Sequence, residues 1–132
     1  MRTRTKARQR AIEALFEAEQ RKVPVADVFE RNPDVNDYAI EIANLTESNL
    51  DRVDEVINTY SKDWHVDRMP AVDRAIVRLA VAELIYKKEL DTSVVISEAV
   101  EISQSLSTPE SAKFINGLLS VIGNMRSSLS SL

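Results

Sequence analysis

Residues 67–86, DRMPAVDRAIVRLAVAELIY, constrain this chain more than any other stretch, because no other window is so apolar while still carrying charge. Pro70 suits the first position of a helix, where its missing N–H and fixed φ do no harm, and neither Gly nor Pro follows until Pro109. The pattern predicts a helix from about residue 70 to 86 or 88. At about 100° per residue its apolar side chains (Val72, Ile76, Val77, Leu79, Val81, Leu84, Ile85, Tyr86) point in every direction, the mark of a helix enclosed by others. Asp73, Arg74, Arg78 and Glu83 sit within that wrap, and an unpaired charge in apolar surroundings is costly. Each therefore needs a partner. The partner is either internal, such as Lys87 one turn on from Glu83, or a second protein docked on a surface built for it.

One compact domain suits 132 residues, of which 44% are apolar. The absence of Cys excludes disulfides, thiol catalysis and Cys-ligated zinc, and no signal-like or membrane-length apolar run occurs, so a cytoplasmic protein is expected. Only Gly117 and Gly123 are present, which excludes glycine-rich phosphate loops and dinucleotide fingerprints. The net charge of −4 conceals an asymmetry. Residues 1–10 carry Arg2, Arg4, Lys6, Arg8 and Arg10 with no acid, whereas residues 23–132 hold ten basic and eighteen acidic side chains. An acidic body thus bears a basic end.

In chain order, a first helix is expected over about 5–21 with Ala11, Ile12, Leu15 and Ala18 inward. Arg8 lies on the same line as Ile12 and Leu15. Since a lone guanidinium will not enter a core, that stripe is expected to leave the globule by residue 8, with the preceding turns projecting or disordered. Such an arm either displaces counterions from RNA phosphates or is a solvated tail. Pro24 opens a short helix that Pro33 closes. The apolar series of residues 36–60 slips in rhythm near residues 46–49, so it forms one bent helix or two. Residues 61–69 connect, with Trp64 expected to pack down as an anchor between the two halves. Thr92 or Ser93 is expected to cap the next helix, and Thr108 the last one, with proline at its first position. On that last helix Lys113 is exposed and Phe114 borders the buried stripe of Ile115, Leu118, Leu119, Ile122 and Met125.

Catalysis finds few candidates. His65 is the only histidine, without a second His or Cys to share a metal, so no metal or other cofactor is expected. Carboxylates are scattered along helix faces, and no serine has a plausible triad partner. The chain is read as non-enzymatic.

Three segments together resemble the NusB family of transcription antitermination factors: ARQRAIEALF at 7–16, WHVDRMPAVDRAIVRLAVAELIY at 64–86, and VVISEAVEIS followed by KFINGLLSVI within 94–122. The resemblance implies an all-α fold of about seven helices in two fused helical-bundle subdomains. The whole of 1–132 would be a single domain with a basic arm at 1–8, a first bundle at about 9–60 and a second at about 64–130. It further implies binding of boxA RNA of ribosomal RNA leader transcripts, together with the ribosomal protein NusE, within an assembly of RNA polymerase and other Nus factors. Carried over by position, Arg2, Arg4, Lys6, Arg8 and Arg10 become the first RNA contact, Lys113 and Phe114 of KFING a second, and Glu110 a neighbour of the latter. Asp73, Arg74, Arg78 and Glu83 fall where the family meets NusE. Phe16 stands where many relatives have Tyr. Some members form homodimers that hide the basic arm. The alternative is a helical module that binds protein without RNA; a detached relative of the NusB-like domain preceding some RNA methyltransferases would be an enzyme only within a larger polypeptide.

Overall fold

The computed structural model describes residues 3–32 and 35–130. Among them the elements are α1 (Thr3–Arg21), α2 (Val25–Glu30), α3 (Asp37–Ser48), α4 (Leu50–Tyr60), a 3₁₀ turn (Val66–Arg68), α5 (Ala71–Tyr86), α6 (Thr92–Leu106), α7 (Pro109–Asn124) and α8 (Arg126–Ser130). The fold is all-α, with no strand in the described residues. Eleven of the sixteen residues of α5 are buried, and it packs on α1, α3, α4, α6, α7 and α8. A helix apolar all round is thus enclosed all round, and one continuous core passes through it.

Helix ends differ from expectation in instructive ways. Pro70 is extended (φ −52°, ψ 142°) and precedes the helix, which starts at Ala71. The slip near 46–49 is a break into two helices at Asn49, whose side-chain amide donates to the Leu45 carbonyl at 2.8 Å. Neither Thr92 nor Ser93 caps α6. The Thr92 hydroxyl is instead taken by Arg126 Nη1 at 2.9 Å, and α6 begins after Asp91. Arg126 also donates to the carbonyls of Leu84, Lys87 and Leu90 at 2.8, 2.9 and 2.7 Å, satisfying groups that the end of α5 and its following turn leave open. The expected cap at Thr108 is present, accepting from the Ser111 N–H at 3.0 Å. The predicted stop at Pro33 lies outside the described residues; α2 ends at Glu30.

The largest departure is at the amino terminus. Helix α1 already runs at Thr3, and Thr5, Ala7 and Arg8 are buried, so no arm projects at residues 3–8. Arg8 enters the core because two carboxylates meet it there. Its Nε donates to Glu83 Oε1 and Oε2 at 2.9 and 3.1 Å, and its Nη1 to Glu98 Oε1 at 3.0 Å. The Thr5 hydroxyl donates to the same Glu98 oxygen at 2.6 Å, and the Tyr38 hydroxyl to Glu83 at 2.7 Å. Burial works against the Arg8 cation, but the hydrogen bond and charge of Glu83 hold its pKa above the usual guanidinium range. Burial and the Glu83 hydrogen bond together push the Tyr38 phenol far up. Arg8, Glu83 and Glu98 thus offset part of one another's burial penalty, while Arg8 Nη2 is buried without a partner among the described residues.

The other charges of α5 turn inward too. Asp73 is fully buried, and its two oxygens accept from the Ser107 and Ser111 hydroxyls, each at 2.7 Å. Arg74 donates through Nε to both oxygens of Glu19 at 3.0 Å, and Arg78 pairs with Asp54 at 2.8 Å and Glu19 at 2.7 Å. Internal pairing therefore accounts for all four, although Glu83 takes Arg8 rather than Lys87. Lys87 pairs with Glu41.

Candidate nucleic-acid interface

Two sets of cations and aromatics reach the surface. On α1, Arg4, Lys6 and Arg10 are exposed. Lys6 and Arg10, four apart, share one face of the helix, where Arg10 makes a loose pair with Glu13 at 3.7 Å between two exposed side chains. Arg4 lies elsewhere on the helix, its guanidinium 4.3 Å from the centroid of the Tyr38 ring, a cation–π contact that restrains it beside the buried Arg8 cluster. Arg8 is withdrawn from the expected contact set, since a side chain 3% exposed and bound to two carboxylates cannot meet a phosphate. Arg2 lies outside the described residues.

The second set is on α7, where Glu110, Lys113, Phe114 and Gly117 fall at successive intervals of three, one and three residues and so share one side. Lys113 and Glu110 are exposed and Phe114 is half-buried, as its place at the border of the stripe requires. Trp64 is the surprise. It was expected to pack down between the halves, but it is 42% exposed and meets Phe114 edge to face, with ring centroids 5.3 Å apart and planes at 69°. The two rings line a cleft of about 240 Å³ with Asp63, Thr108, Glu110 and Ser111. Its floor is fixed from below, because Ser111 and Ser107 are tied to the buried Asp73 and Thr108 caps α7.

A third region surrounds Arg74 and Arg78. These two are half-buried, whereas Asp73 and Glu83 are 0% and 1% exposed, so neither carboxylate can be a direct contact for a second protein as expected. Glu19, between the two arginines, is partly desolvated, which would raise its pKa, but the hydrogen bonds and charges of Arg74 and Arg78 outweigh this and hold it below the usual carboxylate range. Beside this pair a cleft of about 240 Å³ is lined by Leu15, Phe16, Leu50, Ala71, Ala75 and Arg78 among others. Residues missed at the sequence level are Trp64, Tyr38, Glu19 and Glu98. Only Glu98 carried a signal: it lies three residues from Val95 and four from Ile102, within the inward stripe of α6.

No group of three or more side chains able to hold a metal ion occurs among the described residues, and no helix among them is long and apolar enough to cross a membrane.

A sequence model of the NusB family matches residues 5–123, nearly the whole helical body. The chain belongs to the NusB family. Among similar proteins, the transcription antitermination protein NusB of Kineococcus radiotolerans is 46% identical over 135 aligned residues, covering 98% of this chain and 99% of the relative. That of Thermobifida fusca is 44% identical, covering 97% and 94%. Among solved structures, T. maritima NusB superimposes with a TM-score of 0.83 at 32% identity, covering 94% of this chain and 93% of the other. A chain from the crystal structure of the antitermination factors NusB and NusE in complex with dsRNA gives 0.81 at 27% identity, covering 94% and 98%.

Proposed function

We propose that this NusB-family chain is a non-enzymatic, cytoplasmic antitermination factor that binds boxA RNA of ribosomal RNA leader transcripts jointly with NusE and joins the RNA polymerase antitermination complex with other Nus factors. The observation that carries this proposal is the pairing of exposed cations on α1 (Arg4, Lys6, Arg10) with an exposed cation and a stacking ring on α7 (Lys113, Phe114) in a body of net negative charge. Such a body attracts a polyanion only where its cations cluster, and unstacked bases are held by aromatic faces. The names of its relatives and the NusB–NusE–dsRNA neighbour support the same reading. Arg2 joins the α1 set on position alone.

NusE docking is assigned to the half-buried Arg74 and Arg78 and the adjoining cleft. Asp73 and Glu83 contribute indirectly, by fixing the serines before and within α7 and the start of α1. The test is a mobility shift with boxA RNA against a scrambled RNA, with and without NusE. Preferential retardation of boxA, strengthened by NusE, is expected; equal retardation of both RNAs would remove the assignment.

A further inference from the structure

Three cations surround the ring of Tyr38, and one of them has its charge left over. The guanidinium carbon of Arg8 lies 5.7 Å from the ring centroid and Lys87 Nζ 5.4 Å, but Arg8 is bound by Glu83 and Glu98, and Lys87 by Glu41. Arg4 comes nearest, at 4.3 Å, and no carboxylate among the described residues pairs with it. The ring therefore holds an exposed cation beside two others that repel it. We propose that Tyr38 is a positioning residue of the RNA interface, holding the Arg4 guanidinium ready for one phosphate of the bound strand. The inference rests on the RNA-binding function proposed above and adds to it a residue of α3 that does not itself touch the strand.

The ring is clamped at both ends. The Tyr38 N–H donates to Asn36 Oδ1 at 2.7 Å, in the cap of α3, and the hydroxyl donates to Glu83 Oε2 at 2.7 Å, an oxygen that also accepts from Arg8 Nε. Donation to a carboxylate leaves the phenol richer in electrons, which strengthens the pull of its face on a cation. A guanidinium stacked on a ring uses its flat face and keeps its N–H groups, which lie in its plane, free to fork onto phosphate oxygens. An arginine loose in water gives up rotamer freedom when it meets a phosphate, whereas one already stacked has given much of it up beforehand. Lys6 and Arg10 lack this support: among the described residues no ring lies against either, and Arg10 shares its charge with Glu13. Arg4 is thus the contact of the α1 group that the fold sets in advance.

The experiment measures boxA affinity over a range of salt for the full chain and for Tyr38→Leu, Tyr38→Phe, Arg4→Ala and the Arg4→Ala, Tyr38→Leu pair, each first checked for helicity by circular dichroism. Tyr38→Leu is expected to weaken binding about two- to fivefold, the size of an exposed cation–π contact. The slope of log affinity against log salt is expected to stay as it was, because the charge of Arg4 remains. Tyr38→Phe, which keeps the ring and loses the hydroxyl, is expected to recover most of the loss, and Tyr38→Leu to cost nothing further once Arg4 is Ala. In the free wild-type protein the Arg4 side-chain resonances are expected to be shifted upfield by the ring, a reading that stands even if Tyr38→Leu does not fold. Wild-type affinity in Tyr38→Leu or in Arg4→Ala, equal losses in Tyr38→Leu and Tyr38→Phe, the same loss with and without Arg4, or unshifted Arg4 resonances would overturn the positioning role while leaving the RNA-binding proposal standing. Failure of the wild-type chain to prefer boxA over a scrambled RNA, with NusE present, would overturn both.

Discussion

Arg8 Nε lies 2.9 Å from Glu83 Oε1 across 75 residues of sequence, and both side chains are almost wholly buried. This pair, extended to Glu98, Thr5 and Tyr38, fixes the start of α1 against α5 and α6.

Arg8→Ala strands two carboxylates in the core, and removal of one partner from a buried pair costs about 3–5 kcal/mol. A loss of that size is expected in urea unfolding, whereas Lys6→Ala, on the exposed side of the same helix, is expected to stay within about 0.5 kcal/mol of wild type. Equal stability of the two variants would contradict a structural role for Arg8.

Salt dependence separates the exposed cations from the buried one. Each phosphate contact to single-stranded RNA contributes about 0.7 to the slope of log affinity against log salt, so Arg4, Lys6 and Arg10 replaced together by Ala are expected to flatten that slope by about 2. The measurement is boxA affinity by filter binding over a range of salt. An unchanged slope would take α1 out of the interface.

The two glycines of α7 are expected to respond oppositely to alanine. At Gly123 a Cβ would stand 2.7 Å from Thr92 Cγ2 and 3.3 Å from Ile96 Cδ1, so Gly123→Ala must displace the Thr92 side chain, whose hydroxyl Arg126 holds, and is expected to destabilise by about 1–3 kcal/mol. Gly117 meets open space, and Gly117→Ala is expected to stabilise by up to about 1 kcal/mol through helix propensity alone. Thermal unfolding of the two variants checks both signs.

Glu19 sets a pH dependence. Its folded pKa is depressed by Arg74 and Arg78 below the unfolded value, so its contribution to stability is present at neutral pH, above the unfolded pKa, and is lost as pH falls through the folded one. Melting temperature is expected to drop on acidification through that range, and Glu19→Gln to be less stable than wild type at neutral pH with a shallower acid limb. Parallel acid limbs in the two proteins would contradict the assignment.

The helices were legible because their signals are local. Pro24 and Thr108 announce starts, the slip at residues 46–49 is a true break, and the apolar wrap of α5 could mean only enclosure. The family likeness was legible too, since its segments keep order and spacing along the chain. What could not be read were pairings between distant segments. Arg8 looked unburiable because its stripe was judged alone; Glu98, an acid on the inward stripe of α6, is the complement that makes burial possible. Trp64 misled for the opposite reason, since an aromatic ring ordinarily goes inside, and nothing in its immediate neighbours showed that Phe114 would meet it at the surface.

The reach of Arg126 to the carbonyls of Leu84, Lys87 and Leu90 has a temporal meaning. On the ribosome the central helix is synthesised well before the guanidinium that closes its far end, just as Arg8 emerges long before Glu83 and Glu98. Its first and central helices therefore each wait on residues far along the chain for these contacts. The charge of Arg8 is matched only once residue 98 has been made, and the end of the central helix is closed only once residue 126 has.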